Sequence, residues 1–262
     1  MLLDTTPGLV ARGRDAVVPV DRIVMTHAHE DHTAGTFLFP EAAVHAHVLD
    51  VAGLQSLEGM LDVFTQVPEQ RQRMRGVLVD RFHYVPRPDA TGFEDGDVFD
   101  LGGGVTVEAI HTPGHTRGHC CLLIEPASLL FLGDLDLSSF GPFYADAQAS
   151  LESFEASLER VREVEVEHYL SSHHVGLVDR ATFLSRLDRY AAKIRERDER
   201  LLAFLAEPRT LDDITAHRFV YRPQDQGANI DVSERAMMAR HVDRQVRGGA
   251  VREVAPGRFQ AA

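Results

Sequence analysis

The chain has 262 residues, with 40 acidic against 27 basic side chains, a formal net charge of −13, and 44% hydrophobic and 7% aromatic residues. That is enough apolar material for one large domain, or for a domain with a small appendage. No run approaches the roughly 18 consecutive apolar residues of a membrane span, and the start lacks the basic and apolar regions of a secretory leader. A cytoplasmic location and no membrane partner are therefore expected.

The only cysteines, Cys120 and Cys121, are adjacent. That spacing neither closes a loop by a disulfide nor matches a Cys-x-x-Cys zinc knuckle, so both are expected to fill a buried strand. The charge is uneven. Residues 1–179 hold 28 acidic and 11 basic side chains, a net of −17, whereas residues 180–262 hold 12 and 16, a net of +4. An acidic first part would repel a polyanion, which disfavours nucleic acid as a substrate without excluding it.

Val17 to Met25 reads as a loop and then a strand, which empties into Thr26-His27-Ala28-His29-Glu30-Asp31-His32. Imidazole nitrogen and carboxylate oxygen are donors that suit zinc, and also iron or manganese. His27 and His29 share a face of an extended segment. Asp31 and His32 would then face a second centre. The competing reading is a polar loop that caps the next helix through Asp31 or Thr33. Thr33 to Phe39 is expected to be that helix.

Ala43 to Val48 alternates as a strand, with His45 and His47 on one face and no carboxylate neighbour to make them ligands. Leu49 to Met60 and Pro68 to Val79 have helical spacing. Gly92 to Leu101 is acidic and turn-rich. The triplet Gly102-Gly103-Gly104 precedes a strand rather than a helix and has no P-loop pattern, so it reads as a hairpin turn.

The strand at residues 105–110 delivers His111 and Thr112-Pro113-Gly114-His115-Thr116-Arg117-Gly118-His119. Pro113 and Gly114 bend the backbone, which lets His115 turn back toward His27 and His29. Cys120 to Ile124 and Ser128 to Leu132 form a second hairpin that ends in Gly133-Asp134. A loop follows through Tyr144, which has two readings: a side chain that only packs, or one whose hydroxyl contacts a substrate oxygen. Ser150 to Val164 is an amphipathic helix. His168-Tyr169-Leu170 is a short strand leading to Ser171-Ser172-His173-His174.

Beyond residues 176–181 the pattern changes. Phe183, Leu187, Tyr190, Ile194 and Leu201 trace a long helix that ends before Pro208. Thr210 to Asp213 has capping-box form, Ser233 can cap a further helix, and residues 251–259 read as strand, turn, strand. The last helix carries Arg235, Arg240, Arg244 and Arg247, whose charge is modest for a nucleic-acid module. The tail is expected to pack on the core or to support a homodimer.

His27-x-His29-x-Asp31-His32, Thr112 to His119, Phe131-Leu132-Gly133-Asp134 and Tyr169 to His174, in this order, resemble the signature of the metallo-β-lactamase superfamily. The resemblance implies a four-layer αββα sandwich over residues 1–178. It implies two metals, zinc foremost, with His27, His29 and His115 on one and Asp31, His32 and His173 on the other. Asp134 would bridge them, and His174 is the alternative to His173. His119 recurs in the motif without being a ligand, so a structural hydrogen bond is expected of it. The family opens with a hairpin, whereas this chain begins Met1-Leu2-Leu3-Asp4-Thr5-Thr6-Pro7-Gly8. Its first strand and much of its second are expected to be missing, either because the true start is trimmed or because the sheet edge is left open to another subunit.

Residues 179–262 more weakly resemble the winged-helix-like tail of some relatives, including endoribonucleases. The implied activity is a binuclear metal-dependent hydrolase in which Asp31 orients the attacking hydroxide and carries a proton to the leaving group. The second motif is similar to glyoxalase II-like proteins, which implies a small acyl substrate: thioester, ester or lactone. Alternatives are a metal-dependent endoribonuclease, a mononuclear-iron persulfide dioxygenase and a non-catalytic regulatory protein on the same fold.

Overall fold

The computed structural model describes residues 1–227 and 229–262. In chain order, β1 (Leu2–Leu3), α1 (Pro7–Arg12), β2 (Arg22–Val24), α2 (Glu30–Thr33), β3 (Ala43–His47), α3 (Val51–Gln55), α4 (Leu57–Phe64), α5 (Pro68–Gly76) and β4 (Thr91–Phe93) build the first sheet and its cover. Its four strands run parallel in the order β1-β2-β3-β4. A second sheet takes β5 (Val98–Asp100), β6 (Thr106–His111), β7 (Cys120–Glu125), β8 (Leu129–Phe131), β9 (His168–Leu170) and β10 (Leu177–Asp179), in sequential order. The helices α6 (Leu151–Arg162) and α7 (Arg180–Phe204) cover it.

Side chains that alternate along each strand create four layers. Val24, Val107, Ala109, Cys120, Leu122 and Phe131 meet between the two sheets. Their neighbours Ile23, Ile110, Cys121 and Leu130 point outward into the helices. The adjacent cysteines are thus buried on opposite faces, and burial pushes the Cys121 thiol up to about 12. This is a mixed α/β sandwich of the expected αββα kind. The glycine triplet does turn a hairpin, since Leu101 N–H donates to the Val105 carbonyl and β5 pairs with β6.

Two expectations require correction. The helix expected at Thr33 to Phe39 is instead α2 followed by a separate 3₁₀ turn at Thr36–Leu38. The His32 carbonyl, which would have continued the helix, accepts instead from Thr5 N–H at 2.7 Å and Thr5 Oγ1 at 3.0 Å. Ser233 does not cap the last helix either, because α9 (Ile230–Arg247) has already begun and Ser233 N–H donates to the Asn229 carbonyl. At the start of the chain, Leu2 and Leu3 pair with Ile23 and Val24 as an edge strand.

The tail adds β11 (Arg209–Thr210), α8 (Leu211–His217), α9, β12 (Val251–Ala255) and β13 (Arg258–Ala261), with strand order β11-β13-β12. Thr210 and Asp213 form the expected capping box on α8. Helix α7 carries residues of two clusters. Phe183, Leu187, Tyr190 and Ile194 pack with α6 and the second sheet, while Leu201 joins Leu205, Ile214, Met238 and Val242 of the tail. Phe183 lies flat on Tyr169, with ring centroids 3.7 Å apart. Phe183→Ala is expected to cost roughly 3–5 kcal/mol. Denaturant unfolding checks this, and wild-type stability would contradict the placement of α7 in the main core.

Candidate metal centre

Strands β2, β6, β8 and β9 all release their chain at one rim. β8 and β9 are parallel, and β6 and β8 both run antiparallel to β7, so their carboxyl ends coincide. The histidines and aspartates that follow these ends converge in two groups. His27, His29, His115 and Asp134 bring one donor atom each to within 4.8 Å of one another, as do Asp31, His32 and His173.

Asp134 faces both groups. Its Oδ2 lies 3.2 Å from His115 Nε2 and 3.8 Å from His27 Nε2, and its Oδ1 lies 3.0 Å from His32 Nε2 and 3.4 Å from His173 Nε2. His173 Nε2 is also 3.0 Å from Asp31 Oδ2. His174 is 69% exposed and nearest to Asp136, so the geometry favours its neighbour. Buried His27 Nε2, His32 Nε2 and Asp134 Oδ1 make no hydrogen bond among the described residues. Buried polar atoms are rarely left this way, and a cation fits the donor set.

Outer partners set which ring nitrogen faces inward. The Phe143 carbonyl can only accept, so His115 Nδ1–H donates to it at 3.0 Å and frees Nε2. His32 Nδ1–H donates to Asp4 Oδ2 at 2.8 Å. His27 Nδ1–H donates to Thr26 Oγ1, whose hydroxyl in turn donates to Asp4. His29 stacks on Phe64, with Nε2 3.1 Å from Asp146 Oδ2 and Nδ1 turned to His115.

His119 has the structural role expected of it. Burial pulls its imidazole down to about 3, so it stays neutral. Its Nδ1–H donates to the Thr112 carbonyl, and its Nε2 accepts the Asp134 N–H at 3.1 Å. Gly133 makes room, since a Cβ there would meet His119 Nε2 at 2.7 Å. Burial would raise the Asp31 carboxyl, but the hydrogen bond from His173 and the charge of His32 bring it down to about 2.

Sequence reasoning missed Asp4, Asp50 and Asp146. Asp50, 1% exposed, accepts from Ala28 N–H, Thr116 Oγ1 and Gly118 N–H and so ties the first motif to the second. Of the two readings of Tyr144, packing stands and substrate contact does not. The side chain is wholly buried, its hydroxyl is bound to His241 and Arg197, and it does not border the cleft beside the donor groups. That cleft, of about 1390 Å³, runs from Asp31 and His115 between Phe64, Val67 and Met74 on one side and Leu211, Tyr221 and Ala236 of the tail on the other.

The sequence model of the metallo-beta-lactamase superfamily matches residues 2–173. The chain belongs to that superfamily. Its curated relatives include an atrochrysone carboxyl ACP thioesterase of Pseudocercospora fijiensis, 24% identical over 74% of this chain and 46% of the relative. A hydroxyacylglutathione hydrolase of Methylococcus capsulatus is 28% identical over 71% of this chain and 60% of its own. The chain spans about half the length of the curated relatives it matches. A metallo-beta-lactamase family protein of Thermus thermophilus shares the fold over 99% of this chain and 89% of its own, with TM-score 0.75 and 21% identity.

Asp50→Ala leaves three buried donors without an acceptor and is expected to destabilise by roughly 2–5 kcal/mol. A loss below about 0.5 kcal/mol in urea unfolding would contradict its role as the tie between the two loops.

Proposed function

We propose that this chain is a binuclear metal-dependent hydrolase of acyl thioesters, esters or lactones. The observation that carries the reading is Asp134, whose two carboxylate oxygens face two separate donor groups. On this reading His27, His29 and His115 hold one divalent ion, Asp31, His32 and His173 hold the other, and Asp134 is shared. The donor set suits zinc, with iron or manganese as alternatives. When bound, such ions supply Lewis acidity and lower the pKa of a bound water toward 7.

The protein's own groups do the rest. Asp4, Thr26 and the Phe143 carbonyl keep the ligand nitrogens unprotonated and aimed. On this reading Asp31, partly exposed at the cleft, orients the attacking oxygen and passes its proton on to the leaving group. The cleft has apolar side chains on both sides, which suits an acyl group, and the relatives named above include an ACP thioesterase.

The tail is read as winged-helix-like, supported by the order α7, β11, α8, α9 and a closing hairpin. The four arginines of α9 noted in the sequence are each engaged within the fold. Arg235 pairs with Asp212, Arg244 with Glu155 and Asp198, and Arg247 with Glu152 and Asp243, while Arg240 donates to backbone carbonyls.

An acyl thioester and a single-stranded RNA, offered side by side, test the reading. Thioester turnover is expected to vanish with a chelator and to fall by about 100-fold or more in Asp134→Ala, beyond the roughly 10–100-fold typical of losing a ligand's outer partner. Chelator-insensitive turnover, or RNA cleavage in place of thioester cleavage, would contradict it.

A further inference from the structure

The loop at residues 140–149 supplies outer partners to two of the seven proposed ligands. The Phe143 carbonyl accepts from His115 Nδ1–H, and Asp146 Oδ2 faces His29 Nε2. What holds this loop is mostly the tail. Arg197 of α7, 3% exposed, donates to the Phe140 carbonyl at 2.7 Å, to the Pro142 carbonyl at 2.8 Å and to Tyr144 Oη at 2.9 Å. His241 of α9 donates Nδ1–H to Asp198, so its Nε2 accepts the Tyr144 hydroxyl at 2.7 Å. Arg240 of α9 donates to the carbonyls of Asp146 and Ala149. From the opposite side the loop is fastened to α4, where Ala147 N–H donates to the Phe64 carbonyl.

We propose that the tail is a brace for the first donor group, and that Arg240, Arg197, Tyr144 and His241 are positioning residues for His29 and His115. Two arms act on two ligands. Arg240 fixes the backbone that carries Asp146, and hence the His29 ring. Arg197, Tyr144 and His241 fix residues 140–144, and hence the carbonyl that sets the His115 tautomer. The second group, Asp31, His32 and His173, has no partner in this loop among the described residues and is oriented by Asp4 and by Asp31 itself. The brace therefore acts on one metal position and leaves the other alone. This inference rests on the metal-ligand reading above.

The test uses the full-length chain, stripped of metal and titrated with zinc against a chromophoric chelator, together with the visible spectrum of the cobalt-loaded form. Arg240→Met and Tyr144→Phe are compared with wild type and with Arg247→Met, a surface control on the same helix. Wild type is expected to take two equivalents of zinc. Each brace variant should weaken one of the two by roughly 10–100-fold and shift the cobalt spectrum, with the control unchanged. Two equivalents bound with wild-type affinity and spectrum in the folded brace variants would overturn the brace alone. A wild type that binds neither ion would overturn the ligand reading and the brace with it. Tyr144→Phe removes a single oxygen and keeps the ring packed, so it carries the test if Arg240→Met fails to fold.

Discussion

The rest of the structure depends on one carboxylate, Asp134, standing between two sets of imidazoles. A buried carboxylate is costly unless it is paired. Here burial pushes its pKa up, while His32 and His27 pull it well below the usual range. Holding that arrangement needs donors from four separate strand ends at one place. The parallel first sheet and the shared direction of β6, β8 and β9 meet that demand. Around this point even single-atom clearances matter: Gly133 is small because His119 must reach the Asp134 N–H.

A second layer of acids converts converging histidines into aimed ones. Asp4 serves His27 and His32, Asp50 locks two loops together, and Asp146 faces His29. These residues come from the end of an edge strand, just past Leu3, a turn after β3 and a loop braced by the tail, so the centre draws on most of the molecule. The charge asymmetry has a structural use as well. Basic residues of the tail, Arg244 and Arg247, pair with the acidic residues Glu155 and Glu152 of α6. The net negative first part and the net positive tail are in this sense complementary surfaces of one fold.

Much of this was legible in the chain itself. The proposed ligands lie in short runs, because a strand end and its loop can place neighbouring residues in one centre, and alternation exposed β3, while the strand-like runs on either side of the second motif exposed β6, β7 and β8. What could not be read were partnerships with no local spacing. Nothing near Asp4 or Asp146 in sequence points to His32 or His29. Tyr144 lies in the right loop, yet its side chain turns to the tail, because buried Arg197 and His241 offer its hydroxyl two partners. Helix α2 ends early because Thr5, nearly thirty residues away, takes the carbonyl it needed. The acidic partners of Arg235 and Arg244 on other elements are far away in sequence, so these pairings could not be read either.

Crystallography with anomalous scattering, on full-length protein loaded with zinc, is the most direct measurement of the central claim. The account predicts two separate peaks, one among His27, His29 and His115 and one among Asp31, His32 and His173, with Asp134 between them. A single peak, or an ion bound by His174 in place of His173, would contradict it.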